Sequence, residues 1–131
     1  MNRIFKTVYP PIAWTVLIQV FLCLPGSAIP TGGAFDIPNL DKIVHIFLFG
    51  GFVLFWCLYA NRQVYTQRKR ALLFFLIFLL ACINGIALEY VQRDYIPHRS
   101  FDEADIIVDV ISASISYGLC NVYVLNHDSR D

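Results

Sequence analysis

Residues 71–91, ALLFFLIFLLACINGIALEYV, decide the fold of this chain. No charged side chain occurs from Ala71 to Leu88, and about 20 predominantly apolar residues are what a helix needs to cross a bilayer. Glu89 then stands near the end of the run, where an acid is costly enough to need a reason. Working outward, three further apolar segments lie at about 8–24, 43–60 and 104–125, bounded by proline, glycine or charged residues. The whole composition agrees: 57% of the 131 residues are hydrophobic and 15% are charged, with a mean hydropathy of +0.58. A soluble domain carries nearer a quarter of charged residues. The pattern predicts an all-α integral membrane four-helix bundle, a single domain over 1–131. A formal net charge of zero offers no basic surface for nucleic acid.

The first segment is the weakest. Pro10 and Pro11 stand near its start and Pro25-Gly26 ends it. Proline is tolerated in a first turn, so a helix is expected from about Tyr9 to Leu24, or from nearer Phe5. A cleavable signal peptide is the rival reading, because Arg3 and Lys6 precede the apolar run and Ser27-Ala28 are small. A lipoprotein signal is not supported: Val20, Phe21 and Leu22, ahead of Cys23, are too bulky. Cys23, Cys57, Cys82 and Cys120 all fall in apolar segments, as small buried hydrophobes do, without metal-type spacing or a disulfide framework.

If all four segments span, Arg3, Lys6, Arg62, Arg68, Lys69, Arg70 and Arg130 share one side, and Lys42, Arg93 and Arg99 the other. The positive-inside rule then places both termini and the loop 61–70 in the cytoplasm. On that orientation two polar clusters face outward: Asp41-Lys42-x-x-His45, and Glu89-x-x-Gln92 followed by Arg99, Asp105 and Asp109. The turn-rich loop 26–40 lies outside as a short lid.

Helix boundaries bring these clusters to one depth. Asn39 is a fitting N-cap for the second helix, with Asp41 in its first turn and His45 one turn deeper. Ser100-x-x-Glu103 matches a capping box, so the fourth helix is expected to begin at Phe101. At 1.5 Å rise per residue, His45, Glu89, Asp105 and Asp109 then fall roughly 5–12 Å from the outer boundary. Asp41 with His45 and Asp105 with Asp109 are i,i+4 pairs, and Glu89 with Gln92 is i,i+3, so each pair shares a helix face.

Blander roles compete with function. Asp41, Asp102 and Glu103 suit first turns, where acids oppose the helix dipole, and Lys42 can snorkel to headgroups. His45 alone fits a satisfied core histidine, and Arg93 pairs with Glu89 or lies solvated beside Asp94. Glu89, Asp105 and Asp109 resist such readings, and Arg99 is their expected partner, its planar fork binding carboxylate oxygens and clasping the third helix to the fourth. Ser112, Ala113, Ser116 and Gly118, with Gly50-Gly51 and Gly85, are expected to mark close helix contact.

In order, Asp41-Lys42-x-x-His45-x-x-x-Phe49, Gly85-x-x-x-Glu89-x-x-Gln92 and Pro97-x-Arg99-x-Phe101-Asp102-x-x-Asp105 resemble the VanZ-like membrane protein family. The resemblance covers about residues 40–120. It implies a small bacterial multi-pass protein of the cytoplasmic membrane, in a family whose name comes from a protein linked to resistance to the glycopeptide teicoplanin. The chain departs from the family pattern at Asp109, where members tend to carry Asn, and near Ser112 and Ser116, where they tend to carry glycine.

Three functions are weighed. The preferred one is an outward-facing polar site that binds a cell-envelope component, a membrane lipid or cell-wall precursor, with Lys42, Gln92, Arg99 and Asp109 as ligand-binding residues. The second is an intramembrane acid–base enzyme using His45, Glu89 and Asp105, although no nucleophile motif accompanies them. The third is a proton or ion relay, disfavoured because the opposite halves of the helices lack matching acids. His45, Glu89 and Asp105 meet the minimum ligand count for zinc but lack the usual short-spaced histidine pair, so neither metal nor cofactor is expected.

Overall fold

The computed structural model describes residues 7–33, 36–63 and 66–128. Among them the protein is all-helical, with no strand: α1 (Tyr9–Leu22), α2 (Leu40–Gln63), α3 (Gln67–Tyr95) and α4 (Glu103–Asp128), plus a 3₁₀ turn at Gly26–Ala28. Helix α1 keeps its prolines in the first turn, where the missing N–H has no helical partner to lose. It stops at Leu22, short of Leu24, with Pro25 just beyond the C-cap Cys23. A start near Phe5, and Arg3, Lys6 and Arg130, lie outside the described residues.

Three helices are long and apolar enough to cross a membrane: Leu40–Gln63, Gln67–Tyr95 and the Glu103–Tyr123 part of α4. Helix α1, with 14 residues, rises only about 21 Å against a hydrocarbon core of about 30 Å. Large apolar side chains such as Phe47, Leu72, Leu80, Ile83, Ile107 and Leu119 stand on the outside of the bundle, as a lipid-facing surface requires and a watery one penalises.

Helix α2 is the centre of the bundle and packs most extensively on α4, while α3 covers both and α1 lies along α2. The core runs through Ile18, Phe49, Phe52, Val53, Cys57, Phe74, Ala81, Leu88, Ala113 and Cys120. Helix α1 is fastened by polar bonds that would be wasted against lipid. Trp14 Nε1 donates to Leu48 O at 2.9 Å, Trp56 Nε1 to Thr15 Oγ1 at 3.0 Å, and Gln19 Nε2 to Asn84 Oδ1 at 3.1 Å.

Small residues permit the close approaches. A Cβ on Gly51 would lie 2.6 Å from the Trp14 ring, and one on Gly50 would lie 3.3 Å from Ser116 Oγ. A Cβ on Gly85 would meet Asp109 Oδ2 at 2.8 Å. Gly118, expected to share this role, faces open space instead.

Candidate functional site

The start of α2 places Lys42 and His45 beside α4. Asn39 precedes the helix with φ +56°, a left-handed conformation that asparagine tolerates, and its carbonyl accepts the N–H of Ile43. On α4 the expected Ser100–Glu103 box is replaced by a cap two residues later. Asp102 Oδ1 accepts the Ala104 N–H at 2.8 Å, and the helix begins at Glu103. The Asp102 N–H in turn donates to Glu89 Oε2 at 2.9 Å. A capping box normally closes with a residue of its own first turn; here α3 supplies the carboxylate.

Those boundaries put two linked clusters at one end of the bundle. Nearer the surface, Lys42 Nζ contacts Asp102 Oδ2 at 2.8 Å, Asp105 Oδ1 at 3.2 Å and Asp41 Oδ2 at 3.2 Å. Beneath it, His45 Nδ1 is 2.8 Å from Asp109 Oδ1, and His45 Nε2 is 3.7 Å from Asp105 Oδ2. Glu89, Asp109 and His45 are 0%, 1% and 2% exposed. Asp102 lies in the connection outside the spans, and the Lys42 ammonium, then the Ala104 N–H, hold its carboxyl below the ordinary carboxylate range.

The polar layer predicted from spacing therefore forms, but its cation is not the expected one. Arg99 Nε donates to Leu24 O at 3.3 Å, and Lys42, read either as snorkelling to headgroups or as a ligand-binding residue, holds the acids instead. The reason is geometric: residues 97–99 turn back over the end of α1, where Gly26 N–H also donates to Pro97 O at 3.1 Å. Gln92 joins the same seam, its Nε2 donating to Leu22 O at 2.8 Å, so its amide secures α1. Arg93 pairs with Asp94 at 2.6 Å and stacks over Tyr90, apart from Glu89.

Two carboxylate oxygens, Glu89 Oε1 and Asp109 Oδ2, are buried without a hydrogen-bond partner among the described residues. His45, Glu89 and Asp105 each bring one ligand-type atom to within 4.8 Å of the others. Chemically the layer offers an oriented imidazole, acids at short range and a lysine that compensates part of their charge. A separate apolar cavity of about 310 Å³, lined by Leu54, Cys57, Phe74, Leu119, Cys120 and Tyr123 among others, lies toward the opposite end of α2. Sequence spacing gave no sign of it, because its walls are mostly ordinary apolar residues, with Asn61 among them.

No family model, curated protein or solved structure matches this chain.

Proposed function

We propose that this is a VanZ-like multi-pass protein of the bacterial cytoplasmic membrane whose polar layer faces outward and binds the polar head of a cell-envelope component. The observation that carries the reading is the convergence of His45, Glu89, Asp105 and Asp109, buried on three helices, beneath Lys42. Isolated acids at such places cost roughly 2.5–3.5 kcal/mol on insertion scales, so gathering them has a use beyond packing. Arg99 stands at the rim. Its Nε is committed to Leu24 O, and its terminal guanidinium nitrogens remain to pair with a phosphate or carboxylate. If all four segments span, the distribution of Lys and Arg supplies the orientation, and resistance to a glycopeptide such as teicoplanin is the phenotype this reading proposes.

A second reading, an intramembrane acid–base enzyme, draws on the His45–Asp109 bond. A carboxylate on one imidazole nitrogen fixes the ring and leaves the other nitrogen to move a proton. Glu89 and Asp105 would be the partner acids.

Deletion and overexpression in a bacterial host, followed by teicoplanin susceptibility and extraction of envelope lipids, test both. A binder loses its effect most with Arg99→Ala or Arg99→Lys. An enzyme loses it with His45→Ala and Glu89→Gln at unchanged abundance in the membrane, and changes lipid composition. If every variant acts only by lowering abundance, the cluster is a structural clasp and both readings fail.

A further inference from the structure

We propose that His45, Glu89 and Asp105 form a binding site for a divalent metal ion of the Zn²⁺ or Mn²⁺ type, with Asp109 as the outer carboxylate that orients the histidine. The three side chains come from α2, α3 and α4, all are buried, and their ligand atoms lie within 4.8 Å of one another. One imidazole and two carboxylates are a donor set for zinc or manganese; soft copper(I) sites use sulfur.

A cluster of acids alone would not distinguish a metal site from a clasp, but the histidine does. Its Nδ1 lies 2.8 Å from Asp109 Oδ1. An ionised carboxylate only accepts, so Nδ1 carries the proton, and in the neutral ring that a metal ligand must be, Nε2 presents its lone pair. Nε2 faces Asp105 Oδ2 at 3.7 Å, too far for a hydrogen bond. This is the carboxylate–histidine arrangement that sets ring orientation and basicity in metal sites.

Glu89 adds an independent indication. The residue is fully buried and its Oε1 has no hydrogen-bond partner among the described residues, an arrangement that costs about 1–3 kcal/mol or more for a charged group. A cation removes that cost. Charge points the same way: Glu89, Asp105 and Asp109 are buried against one ammonium, Lys42, which Asp41 and Asp102 share. Lys42 occupies Asp105 Oδ1 and leaves Oδ2 toward the histidine. Ligand atoms around zinc at 2.0–2.1 Å stand about 3.3 Å apart in a tetrahedron. Metal binding on this reading draws the three side chains closer together than the 4.8 Å within which they now lie, and three protein ligands leave a position for water or a substrate oxygen.

The inference is independent of the envelope reading, since binding is measured without lipid. Tag-free full-length protein in detergent is stripped with a chelator, dialysed, and titrated with Zn²⁺, Mn²⁺ and Mg²⁺, with metal content read by mass spectrometry. About one Zn²⁺ or Mn²⁺ per chain is expected, raising Tm. Asp109→Asn should weaken affinity by about 10- to 100-fold, as outer-shell changes do, and His45→Ala and Glu89→Gln should weaken it more. Cys57→Ser should leave it unchanged. Binding of less than a tenth of an equivalent, or full affinity in folded Glu89→Gln, overturns the proposal. If the variants do not accumulate, X-ray absorption of the wild-type Zn²⁺ protein decides. One imidazole nitrogen with oxygen ligands supports the site, and a sulfur or all-oxygen shell refutes it.

Discussion

His45 and Asp109, on α2 and α4, meet through Nδ1 and Oδ1 at 2.8 Å, 64 residues apart in sequence. The bond joins the two helices that pack most extensively and fixes the imidazole at the centre of the polar layer. Asp109→Ala leaves a buried N–H unpaired and should cost about 1–3 kcal/mol. Asp109→Asn keeps a carbonyl to accept and should cost clearly less. Unfolding in detergent measures both, and equal losses would show that the charge matters more than the bond.

Gly85 stands behind Asp109. Alanine there would place a Cβ 2.8 Å from Oδ2 and 3.3 Å from the Asp109 Cβ, pushing the carboxylate off His45. Gly85→Ala should therefore destabilise by about 1–3 kcal/mol, the usual range for overpacking. In an Asp109→Ala background the same change should cost less, because only the 3.3 Å approach to the Cβ of residue 109 remains. A double-mutant cycle reads this coupling, and additive losses would argue that Gly85 matters for another reason.

Gly51 and Gly118 make a contrasting pair. Gly to Ala inside a helix ordinarily gains up to about 1 kcal/mol, and Gly118, with nothing within 4 Å of its absent Cβ, should show that gain. At Gly51 the Cβ would lie 2.6 Å from the Trp14 ring, so the clash should outweigh propensity and loosen α1. Protease accessibility of the segment before α2, compared between the two variants, checks the direction.

Lys42→Gln removes the cation from Asp105, whose side chain is 9% exposed, and from Asp102, which is 43% exposed. The Asp102 pair is screened and worth little, so the loss should come mostly through Asp105. It should stay below the 3–5 kcal/mol typical of breaking a fully buried pair, at about 1–3 kcal/mol. Adding Asp105→Asn to Lys42→Gln should restore part of it, whereas Asp102→Asn should restore almost none.

Asp102 sets a pH expectation. Its carboxyl is held below the ordinary carboxylate value by Lys42 and the Ala104 N–H. A depressed folded value means stabilisation that is complete above the unfolded value and is lost as pH falls through the folded one. The Asp102 share of stability should thus be flat at neutral pH and decline only in acid below the usual carboxylate range. Comparing wild type with Asp102→Asn across that range isolates it, and a difference appearing near neutrality would contradict the assignment.

Much of this molecule is legible from residue order. Hydropathy is carried by each side chain separately, so the uncharged run ending at Leu88 determined α3, and the apolar stretches on either side determined α2 and α4. The i,i+4 spacing of Asp105 and Asp109 put both on one helix face, and the depth of Glu89 and His45 followed from helical rise. What the order of residues left open was which groups touch. Pairing depends on how each helix is rotated about its axis and on where the connections turn, and neither is a property of one segment. Only the tertiary structure gave Arg99 to the end of α1 and the acids to Lys42. The same packing set the cap of α4 at Asp102, because the Glu89 carboxylate of α3 arrives at its N–H.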